Sequence, residues 1–267
     1  MFYFLGVAAI IVSGIMLKKT RMFAGEASPF VMELPAYHLP TVRTVLMSTW
    51  ERIKSYVVKA GTIIFLSTIV IWFLMNFGMY EGQFGLLDTE IPDYIQYSLM
   101  AGVGNAISWI FAPLGFGSWQ PVAASISGFS AKEAIVTTMG VLANVDESMV
   151  EETAVVGAAI QSWFPNVAAA FSFLVFNLLD SPCLAAIATM AQQMQSRKWF
   201  WFAVLYQNVF AYGVSLCVYQ LGSVILGVPV GLGTAAAALI LLFLLYMLFR
   251  RDPYKNMKKA VRRSVTA

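Results

Sequence analysis

From Trp199 to Phe249 the chain carries no Asp, Glu, Lys, Arg or His. About 20 predominantly apolar residues are enough to cross the hydrocarbon core of a bilayer. This one stretch therefore reads as two membrane spans, parted at the turn Gly227-Val228-Pro229-Val230-Gly231. Hydrocarbon offers backbone groups no water to bond, so each span must satisfy its own polar groups as a helix. That requirement fixes the fold class before any motif is considered.

The same reading extends along the chain. Met1–Leu17 and Ala60–Tyr80 are charge-free runs of spanning length. Tyr94–Ala131 is too long for one span, and Pro113, Gly115, Gly117 and Pro121 divide it. The division predicts a helix near 94–111 and another from about 122 to Leu142 that carries Lys132 and Glu133 in its interior. Thr153–Leu179 is charge-free, and a shorter piece follows Asp180 and Pro182 to Gln195. The expectation is an all-α polytopic membrane protein of about seven transmembrane helices, with a broken or re-entrant helix near 180–195. With 59% hydrophobic and 12% charged residues, and a mean hydropathy of +0.73, no soluble reading survives.

Charge placement tests that count. Every Lys and Arg except Lys132 falls in 18–59, at Arg197-Lys198, or after Phe249. Alternating spans put these three regions on one side. The opposite loops, 78–93 and 143–153, hold Glu81, Asp88, Glu90, Asp93, Asp146, Glu147, Glu151 and Glu152 without one basic residue. The positive-inside rule then places Met1 outside and Ala267 in the cytoplasm. On this plan 1–17 is a span, 18–59 a cytoplasmic amphipathic loop, 60–249 the helical bundle and 250–267 a basic cytoplasmic tail that meets anionic lipid. Met1–Leu17 lacks the basic start of a secretory signal. No phosphate-binding loop, nucleophile elbow or metalloprotease motif occurs. One histidine and two cysteines cannot build a structural zinc site, and no disulfide between Cys183 and Cys217 is expected.

Ionisable residues at membrane depth are costly and mark pathways or binding sites. Lys132, Glu133 and Asp180 are such residues. Ser181-Pro182-Cys183 reads as a helix start inside the membrane, with Ser181 as N-cap, Pro182 first and Cys183 second. Breaks of this kind free backbone groups for a substrate, and a helix N-terminus eases thiolate formation. A proline kink with Cys183 as a small buried hydrophobe is the alternative. Glu133 suits a hard ligand or a proton-coupled gate. Lys132, about 100° around the helix from it, has Asp180 as its candidate partner. A purely structural charge network of Lys132, Glu133 and Asp180 is the alternative there. Met190 and Met194 read as packing, His38 as an interfacial residue, and Trp50, Trp199 and Trp201 as belt residues. Asn105, Ser108, Gln161, Asn166, Asn177, Gln207 and Asn208 line a cavity or join helices.

Several of these residues stand in recognisable strings. Gly25-Glu26-Ala27-Ser28-Pro29-Phe30-Val31-Met32-Glu33-Leu34-Pro35-Ala36-Tyr37-His38-Leu39-Pro40-Thr41 resembles the cytoplasmic loop of the bacterial ferrous iron transport protein B (FeoB) family. The resemblance continues at Thr49-Trp50-Glu51-Arg52, Lys59-Ala60-Gly61-Thr62-Ile63-Ile64, Ser130-Ala131-Lys132-Glu133-Ala134, Ser181-Pro182-Cys183 and Val218-Tyr219-Gln220-Leu221-Gly222. The family commonly has Thr where Ser181 stands, and Asp180 is outside its pattern.

The resemblance implies the membrane permease portion of an Fe2+ uptake transporter in the bacterial inner membrane. This portion begins in the last helix of the family's first helix group and forms a gate-type bundle. Cys183, Glu133, Ser181 and Asp180 are then the pathway or metal candidates, with Lys132 and Pro182 in support. No catalytic residue and no cofactor are expected in this chain. GTP and Mg2+ belong to a G domain outside it, so the chain is not expected to be an enzyme. The implied partners are the lipid bilayer, that G domain, the first helix group with its own gate cysteine, small accessory iron-transport proteins and a homo-oligomer. Nucleic acid is not among them. Two other readings stay open: a gate-type transporter of a nucleoside-like substrate, and a membrane scaffold subunit that transports nothing.

Overall fold

The computed structural model describes residues 2–23, 41–80, 82–88, 94–143, 157–158 and 160–251. His38, most of the Gly25–Thr41 string, the acidic residues at 81, 90, 93, 146, 147, 151 and 152, and the basic residues beyond Arg251 lie outside the described residues. The chain forms two compact units, one of residues 1–53 with 238–267 and one of residues 54–237.

In the first unit, α1 (Phe2–Lys18) is apolar throughout and ends on a lysine. At 1.5 Å per residue its 17 residues cover about 25 Å, short of the hydrocarbon thickness. Lys19 Nζ donates to the carbonyl of Leu248, in the last turn of the C-terminal helix. A cation there satisfies an acceptor that the helix itself leaves free.

The second unit holds the bundle. It is entered by α2 (Val42–Asn76), which begins well before the apolar run that predicted it. A small antiparallel hairpin follows, β1 (Phe77–Tyr80) with β2 (Gln83–Leu86), Tyr80 pairing with Gln83. It stands where the expected span, ending at Tyr80, runs into the expected loop 78–93, and Gly78 and Gly85 hide it from a reading by alternation. Then come α3 (Leu99–Phe111), α4 (Trp119–Gly128), α5 (Ala134–Leu142), α6 (Val167–Leu179), α7 (Leu184–Gln193) and α8 (Arg197–Ile225), while α9 (Leu232–Phe249) begins at the end of this unit and has most of its residues in the first. Ser98 and Asn166 cap α3 and α6 by accepting from the amides of Ala101 and Ala169.

Small residues let α6 and α8 pack closely. The Ser172 and Ser215 hydroxyls lie 2.7 Å apart, and each lies within bonding reach of the other residue's main-chain oxygen, at 3.1 and 2.7 Å, so their two protons fill two of these three contacts. A Cβ on Gly222 would stand 2.9 Å from the Cβ of Ala168. This is the small-residue packing that joins helices in lipid, where the hydrophobic effect offers no attraction.

Between α3 and α4 the chain turns by 99°. Gly115 makes the corner at φ +90°, and Tyr219 fills the space a side chain there would need. Gln220 Nε2 donates to the Pro113 carbonyl at 2.8 Å, and Tyr212 Oη to that of Ile110 at 2.7 Å. The Val218–Gly222 string is thus a clamp on the elbow. Phe116, fully buried, packs there against Phe111, Phe173 and Phe176.

The all-helical membrane architecture is borne out, with a different division of spans. Among the described residues four helices are long and apolar enough to cross a bilayer: Val42–Asn76, Val167–Gln193, Arg197–Ile225 and Leu232–Phe249. The elbowed pair of α3 and α4 makes a fifth if counted as one span. The largest difference lies at 119–142. One helix would separate Ser127 from Thr138 by roughly 16 Å, yet their hydroxyls bond at 2.8 Å. The chain reverses at 129–133, and α4 and α5 form a helical hairpin. Gly128 permits it, since a Cβ there would stand 2.6 Å from Ile135 Cγ1.

Candidate functional site

The hairpin tip carries Ser130, Lys132 and Glu133, so Lys132 and Glu133 are not in a helix interior as the apolar run predicted. The tip docks on the second irregular stretch, Asp180–Cys183, which interrupts the span formed by α6 and α7. A helix break leaves carbonyls free at the end of one half and amides free at the start of the next. In hydrocarbon both must find partners. The tip supplies them: the Phe129 carbonyl accepts from Leu184 N–H, the first amide of α7, at 2.8 Å. Lys132 Nζ donates to the main-chain oxygen of Asn177, near the end of α6, and to Asp180 Oδ1. The candidate partnership of Lys132 with Asp180 is therefore an ion pair. Its cation sits where the C-terminal end of a helix dipole favours one.

Neighbouring helices complete the junction. Ser67 of α2 shares a hydrogen bond of 2.7 Å with Ser130 at the tip. Asn208 of α8 donates to the Ser181 hydroxyl at 2.5 Å and to the Val204 carbonyl at 2.9 Å. Ser67 escaped the sequence reading because a hydroxyl in an apolar helix usually bonds its own backbone, as Ser67 also does to Ile64. Asn208 was one polar residue among several, and only its neighbour across the bundle distinguishes it.

The local geometry corrects the expected cap. The Cys183 carbonyl accepts from Ile187 N–H at 3.0 Å, the first bond of α7, which makes Cys183 itself the N-cap residue at φ −56°, ψ 157°. Ser181 is buried and spends its hydroxyl on Asn208, two residues ahead of the position expected for it. Pro182 keeps that segment extended, which holds the thiol of Cys183 half-buried beside the helix start.

Glu133 is exposed, directly ahead of α5, and makes no ion pair among the described residues. Asp180, by contrast, is buried. Neither cysteine is in a disulfide. Among the described residues no three His, Cys, Asp or Glu side chains gather closely enough to hold a metal ion. The structure thus unites Lys132, Asp180, Ser181 and Ser130, puts Cys183 at the helix start beside them, and leaves Glu133 on the outer side of the tip.

A span broken at mid-course, with the tip of a helical hairpin capping both ends of the break, defines a gate-type membrane protein. Residues 57–197 match the family model Gate, described as nucleoside recognition, and residues 1–52 match the model described as ferrous iron transport protein B C terminus. The chain belongs to the Gate family, in the form found in ferrous iron transport protein B. Among its curated relatives, Fe(2+) transporter FeoB of Staphylococcus aureus (strain MSSA476) is 35% identical over 221 residues, 82% of this chain and 31% of the relative. The protein of the same name from Methanocaldococcus jannaschii is 32% identical over 223 residues, 84% of this chain and 32% of the relative. That of Salmonella typhimurium is 30% identical over 268 residues, covering 83% and 33%. The chain therefore spans about a third of the length of the curated relatives it matches. No solved structure matches it.

Proposed function

We propose that this chain is the permease portion of a ferrous iron transporter and carries Fe2+ inward across the bacterial inner membrane. The observation that carries this reading is the docked junction, where a thiol, a buried carboxylate and freed backbone groups meet at a helix break. Fe2+ accepts sulfur, nitrogen and oxygen ligands, and the Cys183 thiol stands half-buried at the helix start, where it can meet the ion. Glu133, exposed at the tip, is the residue that first meets the ion or passes it on. Asp180 and Ser181 shape the break, while Lys132 and Pro182 hold it.

One thiol and one carboxylate are few for a metal ion, so further ligands come from elsewhere in the transporter. In this reading the first helix group and a G domain that binds GTP with Mg2+ supply the gate cysteine and the energy. Met1 lies outside and Ala267 in the cytoplasm; 18–59 forms the cytoplasmic amphipathic segment and 60–249 the bundle.

The test is uptake of radiolabelled iron by an iron-transport-deficient bacterium expressing the assembled transporter. Cys183→Ser and Glu133→Gln should each lower uptake by about tenfold or more, the scale on which losses at a metal site act. Wild-type uptake in both would remove these residues from the pathway and favour a scaffold. Uptake of nucleosides in place of iron would turn the reading to the other substrate class.

A further inference from the structure

The buried anion of the junction is held by a cation that belongs to the chain itself. Lys132 rides on the hairpin tip, yet its ammonium fills two acceptor positions on the interrupted helix, Asp180 Oδ1 and the Asn177 carbonyl. The two partners differ in burial: the Asp180 side chain is 4% exposed and that of Lys132 36%. The carboxylate is fixed in the interior, whereas the ammonium sits on a flexible stem that reaches the surface of its unit. Asn177 also carries a buried side-chain oxygen, Oδ1, with no donor among the described residues. The carboxylate and the main-chain oxygen that share the Lys132 ammonium are hard donors of the kind divalent cations take. Removing the cation from a buried carboxylate without replacing it is strongly unfavourable. Whatever displaces Lys132 must therefore bring positive charge to the carboxylate, as a proton or as another cation.

We propose that Asp180 and Asn177 form a divalent-cation half-site that Lys132 occupies as a tethered competitor. A divalent cation takes the carboxylate as the lysine head swings out, and repulsion between the two positive charges lifts the tip off the break. The Phe129–Leu184 bond and the Ser67–Ser130 bond are the contacts that this movement strains. The inference rests on the permease reading for the identity of that cation as the transported one.

The experiment uses Mn2+, a redox-stable probe, with the full chain in lipid nanodiscs. Lys132→Gln should bind Mn2+ at least about tenfold more tightly than wild type, the scale on which a touching charge alters a carboxylate's affinity for a cation. Adding Asp180→Asn should erase that gain, and Lys132→Arg should retain wild-type affinity. A purely structural ion pair predicts lower stability of Lys132→Gln with no change in Mn2+ affinity, and that outcome overturns the proposal. A gain that survives Asp180→Asn overturns it too. A measurement without variants stands beside these: saturating Mn2+ should speed hydrogen exchange at 129–133 and at the Leu184 amide in wild type, and unchanged exchange there refutes the lifting of the tip. The two readings fail separately. Cys183-dependent iron uptake without the Mn2+ gain removes the half-site alone. The Mn2+ gain without iron uptake by the assembled transporter keeps the half-site and removes the permease reading.

Discussion

Replacing Gly115 by Ala tests whether the elbow between α3 and α4 is held by packing as well as by backbone geometry. Two contributions are separable because the second unit holds two glycines at the same φ of +90°, Gly115 and Gly227. A left-handed backbone costs an L-residue roughly 1–2 kcal/mol. At Gly227 nothing lies within 4 Å of an added Cβ, so Gly227→Ala should lose that much and no more. At Gly115 the same Cβ would lie 2.4 Å from Tyr219 Cε2. The ring is pinned in turn, because Gln220 beside it bonds the elbow at Pro113. Overpacking of this kind adds about 1–3 kcal/mol. Gly115→Ala should therefore lose about 2–5 kcal/mol in total, measured by denaturant titration of the purified chain in mixed micelles. Tyr219→Ala placed in the Gly115→Ala background should recover part of the loss. Equal losses at Gly115 and Gly227 would refute the claim that Tyr219 clamps the elbow.

Other expectations follow from the junction and the core. Asp180→Asn keeps the shape but leaves Lys132 beside a neutral amide; the cost should be about 2 kcal/mol, below the usual figure for a broken buried pair because Lys132 is 36% exposed. The same denaturant titration measures it, and Lys132→Met added to Asp180→Asn should restore only part of the loss, because it also takes the donor from the Asn177 carbonyl. Ser172→Ala leaves the buried Ser215 hydroxyl its bond to the main-chain oxygen of residue 172, so it should cost no more than about 1 kcal/mol, and adding Ser215→Ala should cost about as much again or less. A double-mutant cycle reads that coupling directly. Cys183, half-buried, should react with a small maleimide in the folded chain, while the buried Cys217 should react only after denaturation; mass spectrometry of the labelled peptides decides it.

What could be read from the chain beforehand follows from what hydropathy measures. Charge-free runs located α8 and α9 and the turn between them, because spanning lipid demands length and apolarity of every helix alike. Pro182 marked the second break, since a proline removes an amide and cannot continue a helix. The pairing of Lys132 with Asp180 was legible too, as two lone opposite charges in apolar surroundings have few other partners. The reversal at 129–133 was not. Apart from Lys132 and Glu133, residues 119–142 are uncharged whether the chain runs straight or folds back, and the difference rests on a hydroxyl pair 11 residues apart and a glycine that admits Ile135. The cap at Cys183 was displaced for a similar reason: Ser181 has a better partner in Asn208, 27 residues away.

The sequence by itself therefore determined the solvent this protein lives in, its helical class and the residues that interrupt its spans. These depend on local composition and on the cost of unpaired polar groups in hydrocarbon, which each segment bears alone. The tertiary structure decided where those interruptions meet. A break in a membrane helix frees amides and carbonyls without saying what will satisfy them. Here the partners are the Phe129 carbonyl and the Lys132 ammonium, brought by a hairpin about 50 residues earlier in the chain. Such pairings depend on packing between distant segments, and no local pattern encodes them.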